Sequence, residues 1–323
     1  MGELNFKAVN VKSLAKNFGK VKQGGGGSGG GVAALGGLSF EVDRGEIFGV
    51  IGPDGAGKTT LFRILTTLLL PDSGEARVMG SDTVKDYREI RKIAGYMPGR
   101  FSLYQDLTVE ENLKIFATLF NTTIEENYHL IRDIYGHLEP FKKRRAGALS
   151  GGMKQKLALS CALIHKPEVL FLDEPTTGID PVSRKELWEM LRRLKKQGIT
   201  IIVSTPYMDE ASLCDRITLM QDGKFLRCDT PSAIIASFGK NLFSVKGDKM
   251  GAMLEGLRRV EGVSSCFAFG NSHHITAEKD NGTKSSLTVT SLKAHLESAG
   301  FTGVEVTEAE PTVEDCFMEL LSK

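Results

Sequence analysis

The stretch EIFGVIGPDGAGKTTLFRIL, Glu46–Leu65, joins an apolar run to a glycine-rich turn and a second run with helical spacing. The first run predicts a buried strand. The residues after the turn predict a helix that continues until Pro71 stops it. A strand, a tight turn and a helix in this order form the first half of an α/β unit.

The turn itself fits a phosphate-binding pattern. Residues 52–59 read GPDGAGKT and match G-x-x-x-x-G-K-[ST], the P-loop. The glycines let backbone N–H groups surround phosphate oxygens at a helix N-terminus, while Lys58 adds a positive charge and Thr59 a hydroxyl for Mg²⁺. The residues expected to bind the nucleotide are therefore Gly52, Pro53, Asp54, Gly55, Ala56, Gly57, Lys58, Thr59 and Thr60.

Two adjacent carboxylates follow another apolar run, VLFLDEP. Asp173 suits the coordination of Mg²⁺, and Glu174 can polarise a water for attack on the γ-phosphate, which makes it the catalytic candidate. Without the P-loop, the same residues would indicate only a buried strand ending in a solvated acidic turn.

Further apolar runs complete the first domain. GITIIVST predicts a strand, and PVSRKELWEMLRRLKKQG predicts a helix that ends at Gly198. From about residue 240 the pattern becomes strand, helix, strand, strand, helix, strand, the order of a ferredoxin-like domain, with a last helix in TVEDCFMELL. We therefore expect domains at 1–238 and 239–323. The alternative is that the second region adds strands to the first domain's sheet.

Composition limits the functional classes. Of the 323 residues, 41% are hydrophobic and 25% charged, as in ordinary globular proteins, and the net charge of +1 argues against a nucleic-acid partner. No apolar run reaches the length of a membrane span, and the five scattered cysteines predict no disulfide framework or zinc site. Residues 23–31, QGGGGSGGG, predict a flexible insertion, either a natural loop or an engineered linker.

Taken together, the motifs resemble the ATP-binding subunit of an ATP-binding cassette (ABC) transporter. LSGGM, Leu149–Met153, matches the signature of that family, and TGIDP, Thr177–Pro181, looks like its D-loop. The resemblance implies a P-loop NTPase cassette with a helical signature subdomain. It also implies ATP held between two cassettes, with Ser150, Gly151 and Gly152 contacting a nucleotide bound mainly by the partner. Asp180, at the acidic position of the D-loop, is a further candidate for nucleotide binding.

More narrowly, YMPGRFSLYQDLTVEENL and EPTVEDCF resemble the drug-resistance and multidrug-export branch, whose cassettes often carry a C-terminal accessory domain. That branch implies a separate membrane-spanning permease and a place in the cytoplasm, peripheral on the inner face of the cell membrane. Residues 100–113 fall where such cassettes contact the permease; core packing is the alternative for Phe101, Leu103 and Tyr104. Phe18 falls where the family stacks an aromatic ring on adenine, and it could equally be a core residue.

Two positions depart from the family. Gly99 stands where the Q-loop usually has glutamine, and Pro206 stands where a histidine contacts the γ-phosphate. Neither residue offers a side-chain donor or acceptor, and proline has no backbone N–H. No histidine is an obvious substitute; Arg100, Thr205 or Tyr207 would compensate in part.

The leading hypothesis is an exporter ATPase that binds MgATP but hydrolyses it slowly at its own site. An intact signature would let it complete an active site on a different cassette, which favours a heterodimer over a homodimer. The first alternative is a non-hydrolysing, nucleotide-binding regulatory partner of a second cassette. The second is a soluble ABC protein acting on ribosomes or DNA, which one P-loop and no basic excess disfavour.

Overall fold

The computed structural model describes residues 7–19, 31–277 and 287–322. Of the glycine-rich stretch at 23–31, only Gly31 lies among the described residues. The chain divides into two compact units, Met1–Thr230 and Pro231–Lys323. The structure thus places the division after Thr230, where the sequence pattern predicted it after residue 238. A short helix beginning at Pro231 accounts for the difference, because it packs on the last helix of the second unit.

Within its described residues, 7–19 and 31–230, the first unit contains ten strands. In chain order they are β1 (Val9–Phe18), β2 (Val32–Val42), β3 (Ile47–Ile51), β4 (Ser73–Val78), β5 (Ser81–Asp82), β6 (Ala94–Met97), β7 (Val169–Asp173), β8 (Thr200–Thr205), β9 (Arg216–Gln221) and β10 (Lys224–Asp229). One sheet has the order β2-β1-β4-β5, and its pairs are antiparallel. The other has the order β10-β9-β3-β8-β7-β6, in which all neighbours are parallel except β9 and β10.

Six α-helices accompany these strands: α1 (Lys58–Leu65), α2 (Tyr87–Ile93), α3 (Val109–Leu119), α4 (Ile124–Tyr135), α5 (Gly151–Leu163) and α6 (Pro181–Lys196). Short 3₁₀ helices cover Glu139–Phe141, Ala146–Ala148 and Met208–Leu213. Helices α3, α4 and α5 contact one another between β6 and β7, as expected for a helical subdomain inserted in the sheet connection. Strands β3 and β7 are buried at every position, as their apolar runs predict.

Helix α1 is shorter than the sequence predicted. It ends at Leu65 and not at Pro71, because Thr67 adopts a left-handed conformation with φ of 62°. In this turn the N–H of Leu68 donates to the carbonyl of Arg63 at 2.7 Å, a bond that closes the helix end. Apolar spacing does not reveal such a stop, since the residues after it remain leucines.

The first unit has its core between the sheets and α1. Phe40 of β2 stacks on Phe48 of β3 with ring centroids 5.7 Å apart, and Phe62 of α1 meets Phe171 of β7 edge-on at 6.0 Å. All four belong to one cluster of buried apolar residues. Since aromatic side chains bury large areas, these contacts fix α1, and hence the turn before it, against the parallel sheet.

The second unit contains α7 (Pro231–Ala236), β11 (Asn241–Lys246), α8 (Met250–Leu257), β12 (Val263–Phe269), β13 (Ser272–Ala277), α9 (Val289–Ser298), β14 (Glu305–Glu308) and α10 (Val313–Leu321). Its strands form a separate antiparallel sheet of order β12-β13-β11-β14, so they do not extend the sheets of the first unit. From β11 to β14 the elements follow the strand, helix, strand, strand, helix, strand order of a ferredoxin-like fold.

A buried polar pair connects α10 to this sheet. His274 Nδ1 of β13 lies 2.7 Å from Asp315 Oδ1, and Asp315 Oδ2 accepts hydrogen bonds from the N–H and hydroxyl of Thr312, the N-cap of α10. Burial opposes ionisation of Asp315, but the bonds from His274 and Thr312 outweigh it, so the pKa lies below its usual 3.8. The neighbouring His273 bonds the carbonyl of Met250 and faces α8.

We expect Asp315→Asn to destabilise the second unit by about 2 kcal/mol at neutral pH, because it removes the charge that accepts these bonds. Because the pKa of Asp315 is lower in the folded state, its carboxylate stabilises the fold fully at pH values above the unfolded pKa of 3.8. This stabilisation is lost as the pH falls through the folded pKa. Urea unfolding and amide exchange of residues 313–321 measure both effects. The exposed Glu305→Gln is the control, and equal stability of the two variants would contradict the prediction.

Candidate nucleotide site

The turn between β3 and α1 leaves no room for side chains at two glycines. A Cβ atom on Gly52 would collide with the carbonyl oxygen of Met220, and one on Gly57 with that of Ala34. Gly57 also has a φ of 108°, which side-chain-bearing residues rarely adopt. These contacts press the turn against the neighbouring strands, so its backbone shape is set by the fold.

Lys58 is the first residue of α1, and only 3% of its surface is exposed. Its ammonium lies 2.8 Å from the carbonyl oxygen of Gly52, 3.0 Å from that of Pro53 and 3.0 Å from Oε1 of Glu174. An ammonium has three donors, so all of them are used. With no acidic residue in the first turn of α1, the helix N-terminus and Lys58 together form a positive cradle that fits phosphate.

Asp173 and Glu174 are positioned by Ser204 on the adjacent strand. The register of β7 and β8 places Asp173 opposite Ser204, whose hydroxyl donates to Asp173 Oδ1 at 2.7 Å. The backbone N–H of Glu174 in turn lies within 3.0 Å of Ser204 Oγ, and Glu174 itself has a φ of 52°. This bend turns the chain at the end of β7 and carries the Glu174 carboxylate to Lys58.

Gly99 and Pro206 both lie next to this cluster. A Cβ on Gly99 would stand 3.0 Å from the carbonyl oxygen of Asp173 and 3.8 Å from Cβ of Glu174. Pro206 directly follows Thr205, which pairs with Ile51 at the start of the phosphate-binding turn. The two positions that depart from the family pattern thus border the carboxylates and the P-loop.

The three residues named as substitutes differ in what they contact. The N–H of Tyr207 donates to Thr205 Oγ1 at 3.0 Å, and the Tyr207 ring lies under the guanidinium of Arg184, 4.3 Å from its carbon. Arg184 also lies 3.5 Å from the buried carboxylate of Glu210. These contacts hold the loop after Pro206 against α6. Arg100 is exposed and forms no hydrogen bond or ion pair with the described residues of the site.

The predicted signature residues gather in a second group. Ser150 is the N-cap of α5, and its side chain accepts from the N–H of Met153 at 3.4 Å. A Cβ on Gly151 would stand 3.2 Å from the carbonyl of Gly178, and Asp180 is the N-cap of α6, where Oδ1 accepts from the N–H groups of Val182 and Ser183. The α5 and α6 N-termini are therefore neighbours, and a nucleotide-binding role for this group stays a prediction.

Phe18 ends β1 and is 44% exposed, so it is not a core residue. It pairs with Val32 on β2, two residues before Ala34, whose carbonyl faces Gly57. The ammonium of Lys16 lies 5.9 Å from the centroid of this exposed ring, and stacking of the ring on a base stays a prediction.

A groove runs along the first unit between β6, the end of α1, and the helices α3 and α5. It has two adjoining parts of about 520 and 340 Å³, both lined by Leu68, Tyr96, Phe116, Cys161 and Ala162. Burial, reinforced by the charge of Asp173, raises the pKa of the Tyr96 phenol to about 12. Burial also lowers the pKa of His165 to about 4, so its ring, stacked on Phe120, is neutral.

The stretch 100–113 divides between core and surface. Leu103 is buried, whereas Tyr104 is 57% exposed, and Phe101 lies under the Lys154 ammonium at 5.6 Å. Core packing therefore holds for Leu103, whereas contact of this stretch with a permease stays a prediction.

Ser204 and Arg184 are absent from the residues predicted from the sequence. Ser204 lies in the apolar run IIVST. A polar residue near the carboxyl end of a predicted parallel strand would have been the signal, because that edge of an α/β sheet carries the ligand-binding residues. Arg184 had no such signal, since an exposed face of a helix normally carries arginine.

Comparisons with known proteins identify similar chains. The family model described as ABC transporter matches residues 35–177. Nod factor export ATP-binding protein I of Rhizobium sp. (strain N33) is 34% identical, with 98% of this chain and 97% of that protein covered. The probable multidrug ABC transporter ATP-binding protein YbhF of Escherichia coli (strain K12) is 38% identical across 98% of this chain but 53% of its own length. The chain thus spans about half the length of that relative.

A solved structure described as the ATP-binding subunit of an ABC transporter is also similar. It shares 28% identity at a TM-score of 0.62, covering 72% of this chain and 93% of that one. The match extends over most of the solved cassette and leaves more than a quarter of this chain outside it.

We expect Ser204→Ala to weaken magnesium-dependent nucleotide binding by about tenfold, because it leaves the buried carboxylate of Asp173 without its hydroxyl donor. Isothermal titration with MgATP and with ATP in EDTA measures the difference. Ser160→Ala is the matched control, since Ser160 is equally buried and its hydroxyl donates only to a helix carbonyl. Equal affinities for the two variants would show that Ser204 does not position Asp173.

Proposed function

This chain belongs to the ABC transporter family of ATP-binding proteins, and from that premise we propose that it is the ATP-hydrolysing subunit of an exporter. The observation that carries the proposal is the meeting of Lys58, Glu174 and the Ser204–Asp173 pair at one edge of the parallel sheet. Those groups are the ones that in-line attack of water on a γ-phosphate requires.

The three bonds of Lys58 indicate how a nucleotide enters. The carbonyls of Gly52 and Pro53 belong to the same turn as Lys58, so the acceptor that exchanges for a phosphate oxygen is the carboxylate of Glu174. Once released, Glu174 is free to accept a proton from water. Mg²⁺, held by Thr59 and Asp173, would neutralise charge on the phosphates. Binding of a phosphate to Lys58 would thus displace the Glu174 carboxylate from Lys58 in the same step.

Hydrolysis at this site is proposed to be slow. Pro206 and Gly99 lie beside the cluster and offer no donor or acceptor, while Tyr207 is engaged by Arg184. Loss of one donor directed at transition-state charge typically costs about 10²- to 10³-fold in rate. Binding relies on the backbone of the turn, Lys58 and Asp173, which are intact, and should suffer less.

The separate grouping of the signature residues supports a second cassette as partner. Ser150, Gly151 and Gly152 are exposed or half-buried at the N-terminus of α5, open to a nucleotide from outside the unit. We propose that they complete the site of a different cassette, in a heterodimer that compensates for the slow site of this chain.

The groove beside Tyr96 supports a permease as the other partner. Leu68 and Leu119 line it and are 57% and 70% exposed, which is a high apolar exposure for a surface that remains in water. In the described part of the chain, no helix has the length and apolar character that a bilayer crossing demands. From the exposed apolar groove and the family, we propose peripheral attachment on the cytoplasmic face of the cell membrane through a separate spanning subunit.

The domain division is part of the proposal. The predicted domains, 1–238 and 239–323, differ from the two compact units only in residues 231–238. The first would bind ATP, and the second would be an accessory domain that regulates the cassette or stabilises its dimer. The ferredoxin-like order of β11 to β14 is a fold found with many functions, so it supports a separate domain without naming its role.

We expect Pro206→His to raise the ATP turnover of the purified chain by about tenfold or more, because it restores a donor beside the γ-phosphate position. Steady-state phosphate release measures it. Pro206→Ala is the matched control, since it restores the backbone N–H without an imidazole, and should change little. A wild-type rate already equal to that of Pro206→His would contradict the slow-site proposal.

The second candidate is a regulatory partner that binds ATP without hydrolysing it, favoured by the same Pro206 and Gly99. Glu174→Gln separates the two candidates, because the change removes the base while it weakens the bond to Lys58. For a slow ATPase we expect turnover to fall at least tenfold and MgADP to bind more tightly. Turnover unchanged by Glu174→Gln, with and without a second cassette, would instead favour the regulatory role.

A further inference from the structure

Four consecutive cations lie on the surface of the helical subdomain. Lys142, Lys143, Arg144 and Arg145, which we call the basic segment, are all exposed. They connect the 3₁₀ helix Glu139–Phe141 to the turn that leads into α5. The nucleotide chemistry does not use them, and they do not line the groove beside Tyr96.

The backbone of the basic segment is fixed to the start of α3. The carbonyl of Lys142 accepts from the N–H of Glu110 at 3.0 Å, and that of Arg144 accepts from the N–H of Val109 at 3.0 Å. Arg145 forms an isolated β-bridge with Thr108. Since the backbone is bonded inward, the four side chains extend from a rigid base, and little further ordering is needed before they bind a partner.

Nearby carboxylates do not neutralise the basic segment. Glu110 lies 3.5 Å from Lys114, Glu111 accepts from Thr108, and Glu139 accepts from the hydroxyl of Tyr128. Arg145 contributes to the field at Glu111 without pairing with it. Among the described residues, none of the four cations forms an ion pair, although the chain's net charge is only +1. The positive charge is therefore local to this surface.

Exposed aromatic rings flank the cations. The guanidinium of Arg144 lies over the ring of Phe141, 4.6 Å from its centroid, and Phe141 is 36% exposed. Tyr104, 57% exposed, is tied to the same region because Leu107 bonds both the Tyr104 carbonyl and the N–H of Ala146. Cations beside half-exposed aromatic rings are the composition of surfaces at a membrane–water interface.

We propose that the basic segment binds the anionic phospholipid head groups of the membrane, as a contact additional to the permease. Lipid phosphates supply the negative charge that the four cations lack, and the head-group layer accepts the Phe141 and Tyr104 rings. A nucleic acid fits less well, because the surface has neither the wider basic footprint nor a groove that follows a backbone. Each cation near an anionic leaflet adds to the attraction, so the surface can orient a tethered cassette.

The test is co-sedimentation of the full chain with vesicles. We expect binding to vesicles of mixed phosphatidylcholine and phosphatidylglycerol, little binding to phosphatidylcholine alone, and a loss of binding as salt is raised. Lys142→Gln with Lys143→Gln should weaken the binding by roughly tenfold. The matched control is Arg192→Gln with Lys196→Gln, which removes the same charge from exposed positions on α6 and should bind as the wild type does.

Three outcomes would overturn the proposal. If the wild-type protein binds the mixed vesicles no better than it binds vesicles of phosphatidylcholine alone, it has no surface for anionic lipid. Equal loss in the two double variants would mean a general effect of charge. If the protein does not bind vesicles but binds polyglutamate through the basic segment, its partner is an acidic protein instead. MgATP affinity, which should be the same in all three proteins, confirms that the variants are folded and is independent of the lipid result.

Discussion

The site of the first unit depends on the hydrogen bonds and the ion pair of the Lys58 ammonium. This ammonium bonds two carbonyls of its own turn and one carboxylate from the end of β7, so it connects the P-loop to the adjacent strand segment across a buried site. A buried cation without such acceptors would be strongly unfavourable. The shape of the turn, the bend at Glu174 and the bond from Ser204 to Asp173 all serve to bring those acceptors to it.

The same arrangement explains why two substitutions could be tolerated so near the chemistry. The N–H of Gly52 donates to the carbonyl of Thr205 at 3.2 Å, and the N–H of Gly223 donates to that of Ala56 at 2.9 Å. These bonds and those of Lys58 hold the P-loop, and none of them involves Gly99 or Pro206. A donor that acts only on developing transition-state charge can therefore be lost while the binding cradle persists. The Arg184–Tyr207 contact then fixes the loop in which the donor would have stood.

Much of the fold was predictable because its signals are local. Buried parallel strands give continuous apolar runs, and helices give spacing and caps, so β3, β7, α6 and the element order from β11 to α10 follow from the pattern. The end of α1 did not follow, because one left-handed residue, Thr67, stops the helix inside a leucine-rich run. The division between the units was displaced for a similar reason, since the partner of α7 lies some eighty residues later in the chain.

The sequence by itself determined the chemistry available: a P-loop, two carboxylates after a strand, an intact signature, and two positions without polar side chains. These follow because each motif carries its function within a few consecutive residues. Only the tertiary structure decided that Ser204 holds Asp173, that Glu174 bonds Lys58, that Phe18 is exposed and that the signature forms a separate group with Asp180. Such contacts depend on strand register and on the meeting of distant segments, which no local pattern encodes.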